Sequence, residues 1–174
     1  AYRRASFALA LGSFLVFCNL YMFQPMLPLM AEKFNASAIE INWLLASCTL
    51  TLALTLVPWA VISEVIGRRK VMMVSLFLLP FTGMAMLLTD SLMMLTLMRG
   101  VMGIALAGFV AVAVAYMAEE FSPKAFMIAV GGYISANSLG GISGRLYGGF
   151  VTQYWGWNLA VVGMAISSLF GALL

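Results

Sequence analysis

The 174-residue chain is 64% hydrophobic and 9% charged, carries a net charge of +3 and contains no histidine. That is too little charge to coat a water-soluble core, and apolar stretches of the length a bilayer core of roughly 30 Å demands recur along the whole chain. The composition excludes a soluble domain. The lack of histidine and of any cysteine cluster argues against a zinc or haem site, and no nucleic-acid partner is expected.

In chain order, the apolar runs predict six membrane-spanning helices over 5–31, 41–62, 70–89, 91–117, 125–151 and 157–174, one transmembrane domain over 1–174. Pro25 and Pro28 are expected to kink the first near its far end, and the second is expected to end after Pro58. Cys18 and Cys48 fall within apolar runs and read as small packing groups. The first run is too long for the apolar core of a cleavable signal. Because every backbone polar group inside a bilayer needs an internal partner, an all-α bundle is the architecture expected. The chain stops at Leu174 inside an apolar run, which suggests a piece of something longer.

Loop charge sets an orientation. With the N-terminus in the cytoplasm, Arg3, Arg4, Arg68, Arg69, Lys70 and Lys124 lie inside and Lys33 lies outside. This bias is the positive-inside pattern. Tyr154, Trp155 and Trp157 then fall where an outer aromatic belt would sit.

Two arginines remain inside the membrane, where each costs about 2.5–3.5 kcal/mol at a helix centre. Arg99 lies about 12 Å, and Arg145 about 9 Å, from the outer ends of their helices at 1.5 Å per residue. Such residues normally face a cavity or a partner; the alternative for both is reaching outward to the headgroups or bonding helix carbonyls. The carboxylates Glu32, Glu40, Glu64, Asp90, Glu119 and Glu120 all map to helix ends or loops. Cavity arginines without local acids favour an anionic substrate, or a carboxylate beyond residue 174. Asn19, Gln24 and Asn137 supply amides that would border a substrate or bond between helices.

Small residues mark close packing. Gly132, Ala136, Gly140, Gly144 and Gly148 recur every fourth residue in the fifth span, and Gly103 belongs to a shorter series in the fourth. Between the second and third spans, Ser63, Glu64, Gly67, Arg68, Arg69 and Lys70 form a basic turn. Its arginines are placed to bond the last carbonyls of the preceding helix and to pair with Glu64.

Together these residues resemble the major facilitator superfamily, specifically the N-terminal six-helix half of a drug:proton antiporter-like member. The stretch from Ala60 to Lys70 is similar to the G-x-L-a-D-x-x-G-R-R-K loop motif, with Ala60 for Gly and Glu64 for Asp. The stretch Leu97 to Gly103 is similar to the fourth-helix motif whose Arg, here Arg99, the family associates with proton coupling. Residues 140–149 resemble the antiporter motif G-x-x-x-G-P-x-x-G-G, with Arg145 at the Pro position, and Asn158 follows Trp157 where Arg is usual.

The resemblance implies half of a twelve-helix bundle built from 3+3 inverted repeats, with a C-terminal half as partner. It implies proton-coupled efflux of a small organic compound across a bacterial inner membrane, without a cofactor. The basic turn would gate the cytoplasmic side, and Asn19, Gln24, Asn137 and Arg145 would border the substrate. A truncated or self-associating half that transports nothing is the alternative. An enzyme is not expected, since no deep carboxylate pair or exposed catalytic Cys is present.

Overall fold

The computed structural model describes residues 2–174, which form seven helices: α1 (Tyr2–Tyr21), α2 (Leu27–Phe34), α3 (Ala38–Ile66), α4 (Arg68–Met86), α5 (Leu92–Glu120), α6 (Pro123–Trp155) and α7 (Trp157–Leu173). No strand occurs among the described residues. Helices α1, α3, α4, α5 and α6 are long and apolar enough to cross a membrane, and α7 is a shorter apolar helix of 17 residues.

The first span departs from expectation. Instead of one kinked helix over 5–31, α1 stops at Tyr21, residues 22–26 form a turn, and α2 resumes at Leu27. Pro25 has no N–H for the Tyr21 carbonyl, and its ring would clash with that carbonyl in a continuous helix. Pro28 sits in the first turn of α2, where its missing N–H costs nothing. The second span departs the other way, since α3 runs through Pro58 to Ile66. A proline is tolerated in a membrane helix when neighbouring groups absorb the freed carbonyl.

Local chemistry places the helix ends. Ser37 opens α3 with a capping box: its hydroxyl accepts from the Glu40 N–H, and its own N–H donates to Glu40 Oε2 at 2.9 Å. Gly67 closes α3 and opens α4 at φ +103°, a conformation side chains resist. The result is a one-residue hinge ahead of three cations.

The helices pair in a pattern with internal symmetry: α1 packs most closely on α6, α3 on α5, and α4 joins α5 to α7. Exchanging the first three spans with the last three maps the α1–α6 pair onto the α5–α3 pair, as an inverted repeat requires. Both close pairs rest on missing side chains. A Cβ on Gly140 would lie 2.5 Å from the Phe14 carbonyl oxygen, and one on Gly144 would lie 2.7 Å from that of Cys18. Gly148 sits equally close to Met22, so steps of four on α6 match steps of four on α1. Gly103 meets the Cys48 backbone of α3 in the same way. The ridge is shorter than its sequence period: nothing lies within 4 Å of a Cβ on Gly132.

Hydroxyls fasten the α3–α5 seam. Ser47 and Thr51 donate to the Thr96 and Gly100 carbonyls at 3.1 and 2.6 Å, and Trp59 Nε1 donates to that of Ile104 at 2.8 Å. At the end opposite the basic turn, Tyr154 and Trp155 are exposed as a belt requires. Trp157 is not part of that belt. It is buried, with Lys33 Nζ 5.0 Å from its ring centre.

Gly144→Val forces α6 off the α1 backbone and is expected to cost about 1–3 kcal/mol or more, whereas Gly132→Val is expected to cost less than about 1 kcal/mol. Thermal unfolding of the two variants in detergent checks the contrast.

Candidate functional site

The α1 break creates a problem that the rest of the site answers. A helix end leaves its last four carbonyls without intrahelical partners, and within a bilayer no water is at hand to serve them. Those of α1 belong to Cys18, Asn19, Leu20 and Tyr21. The Met22 N–H serves Cys18 at 3.0 Å, and the Gln24 N–H serves Tyr21 at 3.2 Å. Arg99 serves the remaining two: Nη1 donates to the Asn19 carbonyl and Nη2 to that of Leu20, both at 3.0 Å. Its Nε donates to the Leu44 carbonyl of α3 at 3.1 Å, and its guanidinium carbon lies 4.5 Å from the centre of the Phe23 ring. Arg99 is 0% exposed. It thus caps α1 from α5 while gripping α3, a cation at the negative end of a helix dipole. It is held in the packed interior by backbone oxygens and does not line an open cavity.

Asn19 is likewise interior at 2% exposure, donating to the Leu15 carbonyl and to Ser168 Oγ of α7 at 2.8 and 2.9 Å. Sequence groups it with Gln24, Asn137 and Arg145, but the fold turns it away from them.

Of those three, Gln24 and Arg145 meet, and Asn137 stands apart from them on α6. Arg145 Nε donates to Gln24 Oε1 at 2.7 Å, and its guanidinium carbon stands 4.3 Å from the centre of the Tyr21 ring. Gly141 leaves room beside this stack, since a Cβ there would lie 3.4 Å from Tyr21 and 3.6 Å from Arg145 Nη1. Two turns back along α6, Asn137 is half-buried and bonded to Ser13 of α1. Along α1 and into the turn that follows it, residues Ala10, Phe14, Phe17, Tyr21 and Gln24 share one partly open stripe at alternating four- and three-residue steps. Its middle, Phe14, Phe17 and Tyr21, is aromatic, and it ends at the Gln24–Arg145 pair.

At the basic turn, Arg68 reaches α5. Its Nη2 donates to Glu119 Oε1 at 2.9 Å, its Nε lies 3.3 Å from the same oxygen, and its Nη1 meets Ser63 Oγ at 2.5 Å and the Ala60 carbonyl at 3.3 Å. Glu64 is a looser partner at 3.7 Å. The expected pairing with Glu64 is therefore secondary to one with Glu119, which the sequence reading passed over. The signal available was that Glu119 ends the fourth span on the same side as the basic turn. Arg69 and Lys70 are exposed and make no ion pair among the described residues.

This geometry is a six-span membrane half-bundle, broken in its first span, with a polar patch beside the break and a clasp at one end. A family model described as the Major Facilitator Superfamily matches residues 9–174, and the chain belongs to that family. It is 32% identical to the inner membrane transport protein YnfM of Escherichia coli, the match covering 99% of this chain and 42% of that protein. An uncharacterized transporter of Buchnera aphidicola is also 32% identical, over 92% of this chain and 39% of that one. The multidrug resistance protein Stp of Mycobacterium tuberculosis is 26% identical over 87% of this chain and 28% of its own length. The chain therefore spans about two fifths of the length of the first relatives it matches. The fold superposes with a TM-score of 0.85 on a bacterial homolog of the human lysosomal transporter Spinster in an inward-facing, occupied conformation. That match is 21% identical and covers 99% of this chain and 43% of that one.

Arg99→Met leaves the two buried carbonyls of Asn19 and Leu20 unserved and removes the tie to Leu44, and is expected to destabilise the protein by about 3 kcal/mol or more. Glu119 is half exposed, so Glu119→Ala is expected to cost about 1 kcal/mol or less. Unfolding midpoints in one detergent rank the two.

Proposed function

We propose that this chain is the N-terminal half of a secondary active transporter that exports a small organic compound from a bacterial cytoplasm in exchange for protons. A C-terminal six-helix half completes the pathway, and the two rock about a central cavity. The observation that carries this reading is the interrupted first span beside a patch of aromatic and polar side chains. Secondary transporters build their substrate sites at interrupted membrane helices. The family supports transport, and the multidrug relatives favour efflux.

In this reading Gln24, Asn137 and Arg145 face the substrate, and Asn19 positions α1 against α7 behind them. Arg99 enters proton coupling as a fixed positive charge, because a guanidinium does not give up its proton. The acid that titrates lies elsewhere in the polypeptide. Ser63, Glu64, Gly67, Arg68, Arg69 and Lys70 form the cytoplasmic gate, whose latch is the Arg68–Glu119 clasp. The N-terminus and the basic turn face the cytoplasm, in keeping with the positive-inside bias.

Everted vesicles carrying the native polypeptide test this by fluorescence of a pH-sensitive dye. A transported drug-like compound is expected to release protons from acidified vesicles, and Arg68→Ala to slow that release about tenfold, equivalent to about 1.4 kcal/mol of lost latch. Flux with no proton movement would sink the exchange reading.

A further inference from the structure

The charge and shape around Arg145 narrow the substrate class; the inference rests on the transport reading above for its setting. Nε of Arg145 is held by Gln24 and its plane by Tyr21, while Nη1 and Nη2 donate to no group among the described residues. A guanidinium fixed along one edge, with its two terminal nitrogens open, offers a planar fork to a carboxylate. Arg68 makes both ion pairs found among the described residues, so no carboxylate already occupies that fork. The head is also preorganised, because stacking and the Gln24 bond remove much of the rotamer freedom that binding would otherwise cost.

The surroundings select further. The stripe leading away from Arg145 is Tyr21, Phe17 and Phe14, an apolar aromatic track suited to a ring system rather than a sugar or peptide. Asn137 lies eight residues before Arg145 on α6, about 12 Å along the helix at 1.5 Å per residue. Arg145 is the cation with open donors here, since Arg99 spends its own on main-chain oxygens behind the stripe, and the other polar groups, Gln24 and Asn137, are neutral. One positive charge balances a monoanion, whereas a phosphate ester at about −1.5 to −2 would be left undercompensated.

We propose that Arg145, braced by Gln24 and Tyr21, binds the carboxylate of an aromatic monocarboxylate whose rings lie along the Phe14–Phe17–Tyr21 stripe, with room for a polar group at Asn137. The substrate is thus an amphiphilic organic acid. Tyr21 and Gln24 act as positioning residues, and Arg145 touches the ligand.

The test uses the native polypeptide in nanodiscs with two probes of equal shape, biphenyl-4-carboxylate and biphenyl-4-carboxamide, titrated by calorimetry. The carboxylate is expected to bind at least about tenfold more tightly than the amide, as charge-assisted bonds require. Arg145→Gln is expected to erase that preference by weakening the carboxylate at least about tenfold more than the amide, and Gln24→Leu to narrow it in the same direction. Loss of both probes together with a lowered melting midpoint in Arg145→Gln would mean that Arg145 pairs structurally with an acid elsewhere in the polypeptide, and would overturn the proposal. So would a carboxylate preference that survives Arg145→Gln. If the preference depends on Arg145 but neither probe is carried across vesicle membranes, the transport reading falls and the binding site stands. If drug-like compounds are still exchanged for protons while the probes bind equally, the binding site falls and transport stands.

Discussion

The structure depends on how a helix can be interrupted inside an apolar medium. Ending α1 at Tyr21 exposes backbone oxygens where water cannot reach them, and two are met by local N–H groups from the turn itself. The other two, on Asn19 and Leu20, are met by one guanidinium projected from α5. Arg suits this position better than Lys, because its planar fork serves two adjacent oxygens at once and its charge persists when buried. A third bond to the Leu44 carbonyl draws α3 into the same knot. One side chain therefore satisfies the end that Pro25 imposes on α1 and ties α3 and α5 beside it. The desolvation cost of a fully buried cation is offset by carbonyl dipoles rather than by a counter-charge.

The second fixed relationship is between α1 and α6. Glycines at 140, 144 and 148 bring the α6 backbone against the α1 backbone, and Cys18 Sγ donates to the Gly140 carbonyl at 3.2 Å. Because Arg145 follows Gly144 directly on α6, the contact that sets the helix register also sets where the guanidinium meets Tyr21 and Gln24. Packing and the placement of Arg145 thus share one seam, and a shift of one turn along it would separate Arg145 from both Gln24 and Tyr21.

Much of this was legible in the sequence. The bundle follows from apolar run length, the loop motif from its glycine and cations, and the α1–α6 seam from a four-residue period of small side chains. What the sequence could not supply was the third dimension. Asn19 and Gln24 lie five residues apart, about 140° around a helix at 3.6 residues per turn. Nothing in composition says which of them faces α7 and which faces outward. Arg99 was expected to face a cavity, and it bonds carbonyls instead because Pro25 breaks the first span rather than bending it and leaves main-chain oxygens to serve. Glu119 was overlooked because Glu64, four residues from Arg68, offered a nearer partner along the chain. In space the guanidinium points across to α5.

The contacts that hold this half-bundle are addressed mostly to main-chain atoms. Arg99 grips the carbonyls of residues 19, 20 and 44, the α6 glycines rest on the backbone of 14, 18 and 22, and Trp59 and Thr51 reach carbonyls of α5. A carbonyl is the same whichever side chain it belongs to. The Phe14, Phe17 and Tyr21 side chains on the open stripe take no part in those main-chain contacts. Such a scaffold separates shape from surface: the frame is written in main-chain oxygens and glycines, and the identity of the side chains on the open face is a separate matter from the break and the ridge that hold it in place.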